Sequence, residues 1–161
     1  MTDGMRRVAV GLALGVLGAC RGGEGDTGGG GPVPEVAGRY NGFVRTVSGC
    51  NNDGALVSWA DGPLLVTQTG GAVTFAWGDD ESLDGAVASD GSVSASGEVA
   101  GASAQTGAFT ARAGFRGAFT VGGDARSVAG LLRLEVDVDG TGENNCTVEA
   151  DYDATELVGV D

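Results

Sequence analysis

From Arg39 onward, apolar and polar residues alternate with a period of two, in short runs broken by Gly-Gly and Asp-Gly pairs. That period is the signature of half-buried strands, and no stretch after Pro34 repeats at the helical spacing. The clearest unit is Leu64 to Trp77. Pairing outward from Gly70-Gly71 sets Val66 opposite Phe75 and Leu64 opposite Trp77, which gathers Leu64, Val66, Val73, Phe75 and Trp77 on one face. A slip of one residue would turn that face to solvent, so the register should be firm. The glycine pair suits a two-residue type I′ turn.

Phe109, Ala111, Ala113, Phe115, Gly117, Phe119 and Val121 also fall on every second position, with Arg112 and Arg116 between them, and Gly114 either divides or bends that run. Leu132, Leu134, Val136 and Val138 then alternate with Arg133, Glu135 and Asp137. Cys146, Val148, Ala150 and Tyr152 alternate with Thr147, Glu149, Asp151 and Asp153. These two segments predict a final hairpin. Weaker signals complete the set. Arg39 to Cys50 reads as a first strand with mixed faces, followed by a turn at Asn51 to Gly54 and a short irregular strand over Ala55 to Ala60. An acidic connection (Asp79, Asp80, Glu81, Asp84) precedes a hairpin over Leu83 to Val99 that turns at Asp90-Gly91. The fold class is all-β, an antiparallel meander.

Composition narrows the chemistry. Residues 36 to 161 hold 29 Leu, Val and Phe and no Ile, so the core of this 126-residue domain is thin. All nine basic residues are Arg; there is no Lys and no His. This excludes a Ser-His-Asp triad, a Ser-Lys dyad, a Schiff-base lysine and a histidine-ligated zinc. With no nucleophile and base pair in view, the expectation is a protein that is not an enzyme and uses no cofactor. A net charge of −13 opposes nucleic acid as a partner and keeps an exported chain soluble.

The first twenty residues carry a different signal. Arg6-Arg7, the apolar run Val8 to Ala19 and the small residues ahead of Cys20 form the three parts of an export signal, too short to span a bilayer. The tetrapeptide Leu17-Gly18-Ala19-Cys20 resembles the cleavage site of bacterial lipoproteins. The resemblance covers residues 5 to 20 only. It implies removal of residues 1 to 19, lipidation of Cys20 as the mature N-terminus, and a membrane partner engaged through acyl chains, several of which give stable anchoring. It places the protein in the bacterial cell envelope, and Arg21 after the cysteine favours the outer membrane. Residues 20 to 35 form the tether: seven glycines lie between Gly22 and Gly31, ahead of Pro32-Val33-Pro34. Fifteen such residues reach about 20 Å.

Acylation of Cys20 would leave Cys50 and Cys146, and an even pair in an exported protein reads as a disulfide. Cys50 ends the first strand and Cys146 begins the last. Antiparallel pairing of those strands would close an up-and-down barrel; a sandwich would also tolerate the bond. The meander loosely resembles small lipocalin-like and avidin-like barrels, without a motif that carries a binding residue across.

Candidate sites are sparse. Asp137, Asp139 and Gly142 match the first, third and sixth positions of a calcium loop, with Glu143 beside them as a further candidate ligand, but Thr141 and Val148 break the pattern and strands flank it, so the stretch reads first as a polar hairpin loop. Glu135 and Glu149 could face each other across that hairpin and attract a cation. Tyr40, Phe43, Trp59, Trp77 and Tyr152 could line a cavity or simply fill the core. Two functions are therefore expected: a lipid-anchored interaction domain, or a small-molecule carrier with a lipocalin-like cavity.

Overall fold

The computed structural model describes residues 31–50, 53–104, 107–137 and 146–159. Eight strands follow one another: β1 (Gly38–Gly49), β2 (Gly62–Thr69), β3 (Ala72–Trp77), β4 (Glu81–Val87), β5 (Ser92–Ser103), β6 (Gly107–Thr120), β7 (Ser127–Asp137) and β8 (Cys146–Glu156). Each pairs antiparallel with its sequence neighbour, and β1 pairs with β8, so the sheet closes into an up-and-down barrel. Closure gives every strand a neighbour on both sides, although β1 beyond Gly42 and β5 beyond Ser96 run past the ends of β2 and β4.

The β2–β3 register is the one the pattern requires, with Val66 opposite Phe75. Its turn differs in type. Only Gly70 takes a positive φ (61°), which marks a type II′ turn in place of I′. β6 is one unbroken strand through Gly114, and Val121 lies beyond its end, half exposed. Asp84, expected in a connection, lies within β4, where its carboxylate accepts a 2.6 Å hydrogen bond from Thr74 on β3. The segment after Asp53 is also no strand. Two 3₁₀ turns, Gly54–Leu56 and Ser58–Ala60, fold over one barrel end. Asp53 drives this. Its side chain accepts from the Ala55 N–H (3.1 Å) and the Ser103 hydroxyl (2.7 Å), so the carboxylate is buried but fully engaged.

β1 has mixed faces because of a bulge. Val44 pairs with Tyr152 and Val47 with Ala150, so β1 holds one residue more than β8 over this interval. Arg45 and Thr46 both face solvent there, while Val44 and Val47 both pack on the core.

The inward face of every strand is apolar, and the outward face is mainly polar, with Phe43, Leu65 and Leu131 its large apolar exceptions. This is the inverse of a membrane-spanning barrel, whose outer band must be apolar. Inside, Tyr40, Phe119, Phe75, Phe115, Trp77, Tyr152 and Trp59 form one connected set of ring contacts, with centroids 5.1 to 6.1 Å apart. Their polar tips are satisfied internally: Trp77 Nε1 donates to Tyr152 Oη (3.0 Å), Trp59 Nε1 to the Leu56 carbonyl (3.0 Å) and Tyr40 Oη to the Val36 carbonyl (2.7 Å). A thin aliphatic core is thus offset by aromatic volume.

Gly42 shows how closely the lumen is packed. A Cβ built there would overlap the Tyr152 hydroxyl. Gly42→Val should therefore destabilise the barrel by about 1–3 kcal/mol through overpacking, read as a lower urea midpoint, whereas Thr46→Val on the exposed bulge should leave that midpoint within error.

Candidate functional site

With the lumen filled, the cavity to consider lies outside. An open groove of about 740 Å³ crosses the outer face from β4 to β8. Its midline is a single row in register: Asp84, Ser96, Gly114, Arg133 and Glu149. The groove arises from side-chain length. On β4, β5 and β6 the outward residues Ala86, Ser94, Ser96 and Gly114 are short, whereas Arg116, Leu131 and Arg133 stand tall beside them. A smaller depression of about 450 Å³ shares Ala86, Ser94 and Arg116 with it.

The charges around the groove are mixed. Arg133 reaches Glu135 (3.4 Å) and Glu149 (3.5 Å). The two glutamates do not oppose each other, as the sequence suggested: Glu135 faces Thr147 and Glu149 faces Arg133. Arg133 therefore relieves the repulsion assigned above to a cation. Arg116 stands between Ser94 and Leu131 and makes no ion pair among the described residues. Residues 1 to 30 contain three arginines and three acids, so the whole net charge of −13 belongs to residues 31 to 161.

The other sequence candidates fall in several places. Leu17, Gly18, Ala19 and Cys20 lie outside the described residues, as do Asp139 and Glu143. Asp137 ends β7, opposite Thr110. No group of three potential metal ligands occurs among the described residues. Cys50 and Cys146 form a disulfide with their Cα atoms 5.6 Å apart. Of the aromatic candidates, Tyr40, Trp77 and Tyr152 are core and Trp59 caps them. Phe43 alone faces out, beneath the Arg45 guanidinium (5.2 Å), which in turn holds Asp153 in a two-pronged contact at 2.6 and 3.0 Å. That pairing pulls the Asp153 carboxyl below its ordinary range. The groove itself escaped sequence reasoning. Its trace was the outward set Ser94, Ser96 and Gly114, which reads as weak strand signal until a long-armed neighbour is placed beside it.

A second polar cluster closes the opposite end of the barrel. Arg126 pairs with Glu156 through two nitrogens, donates to the Glu35 carbonyl (3.0 Å) and lies against the Tyr40–Val36 contact. The guanidinium holds the Glu156 carboxyl at about 2, and burial pushes the Tyr40 phenol up to about 12. Burial raises the Tyr152 phenol as well.

The sign of the pH dependence follows. Glu156 adds stability above its unfolded value near 4.5, and that contribution is lost as pH falls through about 2. The tyrosines keep their protons after the unfolded chain has lost them, so stability falls from about pH 10 upward. With no His and no Lys between these limits, stability should be flat from about pH 5 to pH 9. Glu156→Gln should lower the plateau by about 1–3 kcal/mol and flatten the acid limb, as followed by urea unfolding at a series of pH values.

No protein-family model, curated protein or solved structure matches the chain. Fold and surface define a class only: a small, disulfide-closed up-and-down β-barrel with a filled lumen and a grooved outer face.

Proposed function

We propose that this chain is a lipid-anchored protein of the bacterial cell envelope that acts without catalysis, its barrel presenting an outer face to a protein or envelope partner. The observation that carries the reading is the filled lumen. A lipocalin-like carrier needs an apolar cavity open at one end. Here the inward volume is taken by seven rings in mutual contact, with their polar tips bonded to one another or to backbone. Recognition is then left to the exterior, where the groove over Ser96 and Gly114 offers short-chain floor, free hydroxyl groups and the guanidinium of Arg116.

Titration with an apolar fluorescent probe such as 1-anilinonaphthalene-8-sulfonate separates the two functions. The expected result is no saturable binding to the folded protein at pH 7. Saturation at one probe per chain would transfer the assignment to a carrier. The anchor is tested by intact mass of protein extracted from membranes of a lipoprotein-processing bacterium. The expected mass lacks residues 1 to 19, carries acyl chains and rises by two protons on reduction; an unacylated mass would remove the anchor.

A further inference from the structure

Seven large apolar side chains are exposed among the described residues, and their distribution along the barrel is uneven. Phe43, Leu65 and Leu131 are spaced singly around the flanks. The other four, Val33 (39 % exposed), Val121 (51 %), Leu157 (42 %) and Val158 (64 %), belong to three segments that meet at one end. The contacts between those segments are direct. Arg126, in the connection that begins at Val121, donates from its guanidinium to the Glu35 carbonyl and from its backbone N–H to the Glu156 carboxylate (3.1 Å), and its carbonyl accepts the Glu156 N–H (2.8 Å), while the Leu157 N–H donates to the Arg39 carbonyl (2.7 Å). The opposite end carries the disulfide, the 3₁₀ turns and the acidic Asp79-Asp80 turn, and none of the seven.

The end with the valines is also where the tether leaves. The last tether residues are fastened to the barrel: Gln68 donates to the Pro34 carbonyl (3.0 Å) and accepts from the Val36 N–H (2.7 Å), and Val36 is fully buried. The barrel therefore holds the chain from Pro34 onward. About a dozen residues separate that point from Cys20, with a reach of about 20 Å. The long strands exceed this; the 14 residues of β6 run about 45 Å. A chain anchored at Cys20 thus keeps the valine end near the membrane, with the disulfide end a barrel's length further along from the anchor. Tethering at such range supplies a high local concentration of lipid surface, so weak apolar contacts suffice.

We infer that this end of the barrel, through Val33, Val121, Leu157 and Val158, rests on the lipid bilayer and points the disulfide end away from it. The inference rests on the lipid anchor proposed above. Glu35, Asp90 and Asp124 at the same end make the matching surface zwitterionic and not anionic phospholipid.

Both native tryptophans lie toward the disulfide end, since Trp77 ends β3 and Trp59 packs on it at 5.1 Å. They serve as an internal control. The full chain, processed in a lipoprotein-exporting bacterium, is reconstituted into vesicles of phosphatidylcholine brominated near the glycerol end of its acyl chains. Wild-type fluorescence should be unquenched, while Val121→Trp and, as a second variant at a chain end that tolerates change, Val158→Trp should each show an added component quenched by half or more. Vesicle-bound, acylated variants whose new tryptophan stays bright would overturn the inference and leave the anchor standing. Equal quenching of native and introduced tryptophans would overturn it too, since the barrel would then have no fixed end toward the lipid. Protein that is neither acylated nor vesicle-bound would remove anchor and inference together.

Discussion

Phe75→Ala should be the most damaging single substitution in the barrel interior, costing about 3–5 kcal/mol. Phe75 is fully buried and is the branch point of the ring network: it stacks on Trp77 (6.1 Å) and on Phe119 (5.9 Å) and tilts against Phe115 (5.6 Å). Three rings would lose a partner at once. None can move in to fill the space, because Trp77 is held by Tyr152 and the inward neighbours of Phe115 and Phe119 include Gly117, whose missing side chain is already covered by the Phe115 ring. The cavity therefore persists, which places the cost at the upper end of its range. Against a total stability of about 5–15 kcal/mol for a domain of this size, urea unfolding should show a midpoint lowered by a third or more. A conservative Phe75→Leu should recover most of it. A loss below 1 kcal/mol for the alanine variant would mean that the lumen is loosely packed, and would reopen the carrier function, since a lumen that closes over a lost ring could also open for a ligand.

The strands were legible where one face is aliphatic or aromatic and the other is charged or β-branched. β2–β3, β6, β7 and β8 all have that contrast, and their described inward residues are those the alternation names, Val121 excepted, while Val138 lies outside the described residues. Val121 continues the period but not the strand: Thr120 pairs with Ser127, and the chain leaves the sheet at the next residue. β5 was weak by its own residues because Ser, Ala and Gly carry little β-propensity. It becomes a strand of 12 residues because β6 offers a full ladder to pair with, from Ser92–Ala118 to Ser103–Gly107. Even Gly101, one of its two glycines, is covered, since the Phe109 ring lies over it. Non-local pairing of this kind leaves no trace within the segment that accepts it.

The two 3₁₀ turns were missed for a related reason. Ala55 to Ala60 has apolar residues and no helical period, and the Asp53 side chain that caps the turns on the Ala55 N–H is itself held by a tertiary bond from Ser103, 50 residues away. The candidate site was still less legible. A groove is a difference in height between neighbouring strands, so Ser96 and Gly114 acquire meaning only beside Arg133 and Arg116. The relief of Glu149 by Arg133 depends likewise on a cross-strand register that alternation alone fixes only to within two residues.

Barrel closure was legible because two features agreed: the first and last strands each carry a cysteine, at ends that antiparallel pairing brings together. The geometry bears this out, with Gly49 opposite Val148 and the Cys50–Cys146 bond just beyond. The bond should matter more than any other single link. It spans 96 residues, and in the chain-entropy account a loop of that length restrains the unfolded chain by about 4–5 kcal/mol. It also fixes a backbone that is not free of cost: Cys50 adopts a positive φ of 41°, and its carbonyl accepts the Asp53 N–H at 3.3 Å to begin the turns that cover the barrel end.

The double variant Cys50→Ser, Cys146→Ser should therefore melt on the order of 15 °C lower, with β1–β8 the seam that opens first. That seam is the one whose ladder is interrupted by the bulge between Val44 and Val47. Amide hydrogen exchange would locate it, as lost protection over residues 43 to 49 while the β5–β6 ladder stays slow. Uniform loss of protection would instead mean that the bond stabilises the barrel only through its unfolded state and does not hold the seam. The same numbers make the barrel dependent on oxidation of the Cys50–Cys146 pair for about a third or more of its stability.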